Sequence, residues 1–221
     1  MVAVKRRSYD NSRRLAQARA TRAQVVTAAR QLFIERGYPG TTIEAISEAA
    51  SVPLPTVYRL FGSKRGILAA VLDVAFGGDD EPIAFHERPA VWAALTEPDP
   101  RRLIELFAHI CRELLDRSAA IQEVVRSAAT VDPEAADMLA VTRQQRLTGQ
   151  SRVAQALAGR GALASGTDQS YASDVIYTLM APEVYRILTV ERGWSGEQYE
   201  HWLAKALRLM LLGAATKRAK E

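Results

Sequence analysis

An all-α fold is expected, on three observations. Apolar residues recur at helical spacing along most of the chain. Several of these runs open on helix-start signals, Asp99-Pro100, Asp132-Pro133 and Ser195 followed by Gln198. No segment alternates apolar and polar residues between turns at hairpin spacing. The expected architecture is an N-terminal three-helix helix-turn-helix domain followed by a larger C-terminal helical domain.

The elements follow in order. The first twenty residues, with SYDNSRR in their middle, show no apolar period and read as a flexible basic arm. From Thr21, which can cap a helix, Val25, Val26, Ala29, Leu32 and Phe33 recur at helical spacing until Gly37 stops the run behind Arg36. After the turn Tyr38-Pro39-Gly40, Thr41 and Glu44 have capping-box spacing. A second helix is expected from Thr42 to about Ala50, burying Ile43, Ile46 and Ala49 or Ala50. The break Ser51-Val52-Pro53 leaves room for a third helix only from about Pro55 to Leu60, before Phe61-Gly62. Two short helices joined by a tight turn make a helix-turn-helix. Ser63 then caps a longer helix whose apolar face is Ile67, Leu68, Val71, Leu72, Ala75 and Phe76. The stretch Gly77-Gly78-Asp79-Asp80-Glu81-Pro82 reads as the junction.

In the second part the clearest stripe is Leu103, Ile104, Leu106, Phe107, Ile110, Cys111, Leu114 and Leu115. The last two long helices are expected over Tyr171 to Arg192 and Ser195 to Leu212, the first kinked or broken where Pro182 frees the Thr178 carbonyl. The expected division is an arm over 1–20, the helix-turn-helix domain over 21–66, a helical domain over 67–215 and a tail over 216–221.

Composition narrows the function classes. The 221 residues are 48% apolar and 24% charged, within the globular range. No apolar run approaches the length of a membrane span, and the opening MVAVKRRSYD offers no apolar stretch for a signal segment, so a cytoplasmic protein is expected. The single cysteine, Cys111, excludes an intrachain disulfide and any cysteine-rich metal site. An enzyme finds little support: His86, His109 and His201 are scattered, and no phosphate loop, metal-spaced pair or marked acid–base pair is present. Neither catalytic residues, nor metal ligands, nor a cofactor are expected. Charge is uneven, with 12 Lys and Arg against 5 Asp and Glu in residues 1–76 and 17 against 20 in the rest. A basic head on a slightly acidic body suits a polyanion-binding head.

The segment GYPGTTIEAISEAASVPLPTVYRLFGSKRGIL, from Gly37 to Leu68, resembles the DNA-binding domain of the tetracycline-repressor (TetR) family. The matching positions are Gly37-Tyr38, Thr41-Thr42, Val52, Thr56-Val57-Tyr58, Phe61, Ser63-Lys64 and Ile67-Leu68. The match covers about the first third of the chain, and PEVYRILTVERGWSGEQYEHWLAKALRLMLL is similar to the C-terminal region of some members. The resemblance implies a homodimeric regulator of transcription on palindromic operator DNA, most often a repressor, with a ligand-binding and dimerisation domain behind the DNA-binding head. A small-molecule effector would release it. A ligand-independent architectural protein, or an activator, would use the same fold.

Site residues follow from the resemblance and from helix chemistry. Thr42, Tyr58 and Lys64 are implied to clamp phosphates, Thr42 and Lys64 each at a helix N-terminus with its positive dipole end. The start and exposed face of helix three nominate Leu54, Thr56 and Arg59 for base edges. The arm residues Arg13, Arg14 and Arg19 could follow the backbone or a minor groove. Each position has a plainer use: Thr42 as a cap, Tyr58 in packing, Arg59 as a solvated charge. Val57, Leu60 and Phe61 are expected in the core. Pro53-Leu54-Pro55 departs from the family's Ser-Lys-Gly; it replaces a basic side chain with leucine and removes backbone donors. The resemblance places the dimer interface on the last two helices, with Val175, Ile176, Leu179, Trp202, Ala206, Leu209 and Met210 as candidates. Phe107, His109, Cys111, Met138, Tyr177 and Met180 are candidate linings of a pocket for a hydrophobic or aromatic effector.

Overall fold

The computed structural model describes residues 4–78 and 88–213, so Asp79 to Pro82 of the expected junction, His86 and the expected tail lie outside the described residues. The chain runs through α1 (Val4–Arg36), α2 (Ile43–Ala49), α3 (Leu54–Phe61), α4 (Lys64–Gly77), α5 (Pro89–Thr96), α6 (Pro100–Ala128) and α7 (Pro133–Gly159). It continues through α8 (Gln169–Leu179), α9 (Pro182–Arg186), which passes into a π turn over Ile187–Glu191, and α10 (Gly196–Leu211). Among the described residues there is no strand, only a single β-bridge between Leu163 and Leu212.

The first helix begins at Val4, well before Thr21, which corrects the expected flexible arm. Thr21 does not cap it, because its hydroxyl donates back to the Gln17 carbonyl inside the helix. Residues 13–20 are exposed throughout, so this stretch of helix buries nothing that an apolar period could reveal. The helix closes at Gly37, whose φ of +69° favours glycine, with its N–H on the Phe33 carbonyl.

The expected Thr41–Glu44 capping box is also corrected. Thr42 is the N-cap of α2, its Oγ1 accepting from the Ala45 N–H at 3.1 Å. Thr41 is fully buried and donates to the Leu32 and Gly37 carbonyls at the end of α1, a tertiary use that the local spacing could not indicate. The turn between α2 and α3 has Ser51 at a φ of +52°, and Ser47 Oγ donates to the Val52 carbonyl at 2.6 Å. Helix α3 starts at Leu54, one residue earlier than expected, with Pro53 as cap residue. Ser63 caps α4 through the Gly66 N–H. A side chain at Gly66 would collide with the Phe61 carbonyl oxygen, so glycine is what lets α4 close onto α3.

The caps expected in the body are observed at Asp99, Asp132 and Ser195, the last a complete capping box with Gln198. Pro182 breaks the expected long helix into α8 and α9, with Ala181 as the cap residue between them.

Buried side chains form two clusters. One joins the faces of α1 to α4, including Val25, Phe33, Ile46, Val57, Ile67 and Leu68, to Ile121, Val124, Val125 and Ala128 at the end of α6 and Ala135 at the start of α7. The other lies in the body, between the first half of α6, the second half of α7, and α8 to α10, with Leu103, Ile104, Leu115, Leu157, Ile176, Tyr199 and Leu203 fully buried. The expected boundary at residues 66 and 67 falls inside α4, which belongs wholly to the first cluster.

Candidate nucleic-acid interface

Helix α3 is held from below and presented outward. Val57 is fully buried and Phe61 packs against the head cluster, where the Arg22 guanidinium lies 4.8 Å from its ring centroid. Leu60, expected in the core, is only half-buried. On the opposite side Tyr58 is 45% exposed and Arg59 is exposed beside it, with Pro53 and Pro55 also at the surface and Leu54 and Thr56 half-buried. Thr42 is exposed at the start of α2, one hydroxyl lone pair committed to its cap. An exposed aromatic hydroxyl and a guanidinium on a short rigid helix offer the donors that phosphates and guanine edges accept from.

The N-terminus of α3 is a poor anion site. Pro55 has no N–H, and the Thr56 and Val57 N–H groups both point to the Pro53 carbonyl, at 2.8 and 3.2 Å. Side chains rather than backbone donors must therefore carry contacts from this helix.

Lys64 is engaged inside the head. Its Nζ donates to the Tyr38 carbonyl at 2.9 Å and the Thr41 carbonyl at 3.0 Å, and lies 4.3 Å from the Tyr38 ring centroid. An ammonium has three donors, so one remains for an outside acceptor. Its larger effect is to tie the start of α4 to the α1–α2 turn, which holds Thr42 in place relative to α3. Arg13, Arg14 and Arg19 are exposed on the projecting part of α1.

Contacts that join the head to the body are not apparent from local sequence. Tyr38 donates its hydroxyl to Asp132 Oδ2 at 2.9 Å, Arg65 pairs with Glu134, and Arg30 donates to the Arg117 carbonyl at 3.2 Å. Burial and the Asp132 carboxylate push the Tyr38 hydroxyl up to about 12, while the same hydrogen bond draws Asp132 below the usual carboxylate range. The partners are far apart in sequence, so no spacing rule could pair them.

The expected pocket residues do not converge. His109 is exposed at the surface, with Nδ1 3.1 Å from Glu200 Oε2 and Nε2 3.7 Å from Glu113, which removes it from any interior lining. Met138 packs against the head cluster, not the body. Cys111 and Met180 are buried together, Sγ to Sδ 3.8 Å, with Phe107 packed on the same cluster. Tyr177 is half-buried under the Arg146 guanidinium, 3.8 Å from ring centroid to Cζ, and Arg146 lines a cleft of about 30 Å³ between α6, α7 and α9. That cleft is walled mainly by polar and charged side chains, contrary to the expected hydrophobic lining.

Two expected interface residues also move. Val175 and Ile176 are buried inside the protomer's own cluster, because α8 packs along α7, and they cannot reach a partner without opening it. Leu179, Trp202 and Ala206 are half-buried, and Leu209 and Met210 are 74% and 43% exposed. The segment before α10 exposes Ile187 and Val190 as well. Among the described residues no helix is long and apolar enough to cross a membrane, and no group of His, Cys, Asp and Glu side chains is arranged to hold a metal.

A short helix-turn-helix locked against α1 and α4 sits on a larger all-helical body, and the likeness in sequence to known proteins lies in this head. Residues 25–71 match the family model described as "Bacterial regulatory proteins, tetR family". The repressor DhaR of Mycobacterium sp. (strain GP1) is 33% identical over 93 residues, 42% of this chain and 44% of that protein. The chain thus spans less than half the length of the curated relatives it matches. Over the whole fold, the solved structure of NalD, described as the secondary repressor of the MexAB-OprM multidrug efflux pump in Pseudomonas aeruginosa, superposes with a TM-score of 0.65 at 20% identity. It covers 88% of this chain and 98% of that one. A SmeT–triclosan complex aligns with a TM-score of 0.63 at 18% identity, covering 91% of this chain and 100% of that one. The likeness to the TetR family in sequence thus lies in residues 25–71, and the solved structures share the fold of the whole chain.

Proposed function

We propose that the protein is a sequence-specific transcriptional repressor that binds a palindromic operator as a homodimer and leaves it when a small molecule binds the body. The observation that carries this reading is helix α3, where buried Val57 locks the helix while Tyr58 and Arg59 on its other side are exposed, in a head with an excess of basic residues. Leu209 and Met210 on α10, and Ile187 and Val190 in the π turn that precedes it, are exposed apolar side chains that offer surface for a second copy. The neighbours named as repressors, and the neighbour solved with triclosan, support repression and an effector by analogy of fold.

The test is selection of bound duplexes from a random pool by the full chain at two salt concentrations. Enrichment of a two-fold symmetric sequence with affinity falling steeply in salt is expected. Sequence-indifferent binding, or none, would overturn the reading. The rival is a ligand-independent DNA binder, favoured by the small volume of the Arg146 cleft. It would give the same enrichment yet retain DNA in the presence of every effector tried.

A further inference from the structure

The two apolar clusters meet at a polar layer. On α6 it is made of Ser118 and Gln122: the Gln122 amide donates to Ser118 Oγ at 2.9 Å, and Ser118 donates to the Leu114 carbonyl at 2.7 Å. On α7 it is made of Arg146 and, one turn further on the same face, Gln150. Gln150 is 2% exposed, and neither its amide oxygen nor its amide nitrogen has a partner; Arg146 Nε is buried and likewise unpartnered. A buried amide in this condition bears the desolvation cost of both groups with no return within the protein, and it marks a place where a further polar group is accommodated. Burial also pulls the Arg146 guanidinium below its ordinary range, so an anion beside it would restore what desolvation removes.

The cleft that Arg146 lines is reached between Gln122 and Arg126 of α6, Thr142 and Arg143 of α7, and Glu183 of α9. We infer that this layer is the polar half of the effector site and takes a small aromatic carboxylate carrying a second hydrogen-bonding group. Arg146 holds the carboxylate, and the Gln150 amide serves the rest of the polar edge. A planar two-oxygen acceptor matches the guanidinium fork. Glu123, which pairs with Arg126, and Glu183 offset two of the three arginines in the lining, and the single positive charge left over matches a carboxylate better than a doubly charged phosphate. The Tyr177 ring beneath Arg146, with Leu139 and Pro182 in the wall, supplies apolar contact for an aromatic ring.

The assignment rests on the repressor reading for its consequence and adds a route to it. The cleft is water-sized, so an organic acid enters only by parting α7 from α9. The other end of α7 carries Asp132 at its cap and Glu134 in its first turn, the residues that hold Tyr38 and Arg65 of the head. Displacement of α7 therefore acts on the α1–α2 turn and on the start of α4.

Calorimetric titration of the full chain with para-hydroxybenzoate, benzoate and the methyl ester of para-hydroxybenzoate tests the site. The two acids are expected to bind and the ester to bind about tenfold or more weakly. Arg146→Met and Gln150→Leu are each expected to weaken para-hydroxybenzoate by about tenfold or more, and Gln150→Leu to raise the melting temperature of the ligand-free protein, which shows that it folds. No binding of either acid at millimolar concentration, an ester that binds as well as the acid, or unchanged binding in either variant would overturn the assignment. Duplex selection by the ligand-free protein is scored separately. A chain that takes the acid and selects no duplex keeps this site and loses the repressor reading, whereas one that selects duplex and takes no acid does the reverse.

Discussion

The head and the body of this protein share two helices and use them differently. The head cluster is closed by the end of α6 and the start of α7, with Ile121, Val125, Ala128 and Ala135 buried among side chains of α1 and α4. The body cluster uses the other halves of the same helices, and between the two lies the layer of Ser118, Gln122, Arg146 and Gln150. Apolar packing is non-directional and tolerates small shifts, whereas polar groups in a low-dielectric interior are satisfied only in particular arrangements. The layer between the clusters, where Gln150 and Arg146 Nε lack partners, is therefore where a ligand has most leverage.

The largest expected effect tests whether the head is a separate folding unit. Phe33 is fully buried, and Phe33→Ala should destabilise the protein by about 3–5 kcal/mol. Because the head cluster includes the ends of α6 and α7, the loss should appear in one cooperative denaturant transition that shifts for head and body probes alike. Two separated transitions, with the body's unmoved, would show that the clusters are independent.

Arg59→Ala comes next, and it separates presentation from packing. The side chain is exposed, so stability should stay within experimental scatter. Affinity for the selected operator should fall by about 1–3 kcal/mol, with relaxed preference at one position of each half-site. Equal weakening on every sequence would reassign Arg59 to a phosphate.

The same contrast explains what is legible in the sequence. The head's apolar face on α4 and the caps at Ser63, Asp99, Asp132 and Ser195 are readable, because each is a local pattern with a local physical cause. The neighbouring threonines read one residue out, since Thr41 is claimed by carbonyls at the end of α1. The projecting part of α1 escapes the apolar period because it buries nothing, although RRLAQARA is made almost entirely of strong helix formers and could reveal it. The interior of the body is least legible. A filled core and a lined site have one composition, so Cys111 and Met180 look as suitable as Tyr177, while Arg146 and Gln150 pass as surface residues of an amphipathic helix. Only the pairing of α6 with α7 and α8 reveals that they face inward.

A smaller effect is expected where the head meets α7. Tyr38→Phe removes the hydrogen bond to Asp132 and should cost about 0.5–1.5 kcal/mol near neutral pH. The sign of its pH dependence is set by the folded Tyr38 hydroxyl, raised from 10.0 to about 12 by burial and Asp132. The folded state holds that proton more tightly than the unfolded state, so the contribution is complete below about pH 10 and is lost between 10 and about 12. Denaturation midpoints of the wild type should therefore fall across that window more than those of Tyr38→Phe, and parallel profiles would remove Tyr38 as the cause.

The smallest effect belongs to Arg65 and Glu134, the second link between head and α7, whose side chains are 38% and 63% exposed. Pairs this open typically contribute about 0.2–1 kcal/mol, and salt weakens them. A double-mutant cycle with Arg65→Gln and Glu134→Gln should give a coupling in that range that fades as ionic strength rises. Its value lies in comparison with Tyr38. If α7 carries ligand binding to the head, loss of either link should reduce the fall in operator affinity that para-hydroxybenzoate causes, with Tyr38→Phe the stronger of the two because its contact is the more shielded. Variants that respond to the acid as fully as the wild type would mean that the message runs along α6 through the packed apolar contacts alone, where Ile121 and Val125 belong to the head cluster.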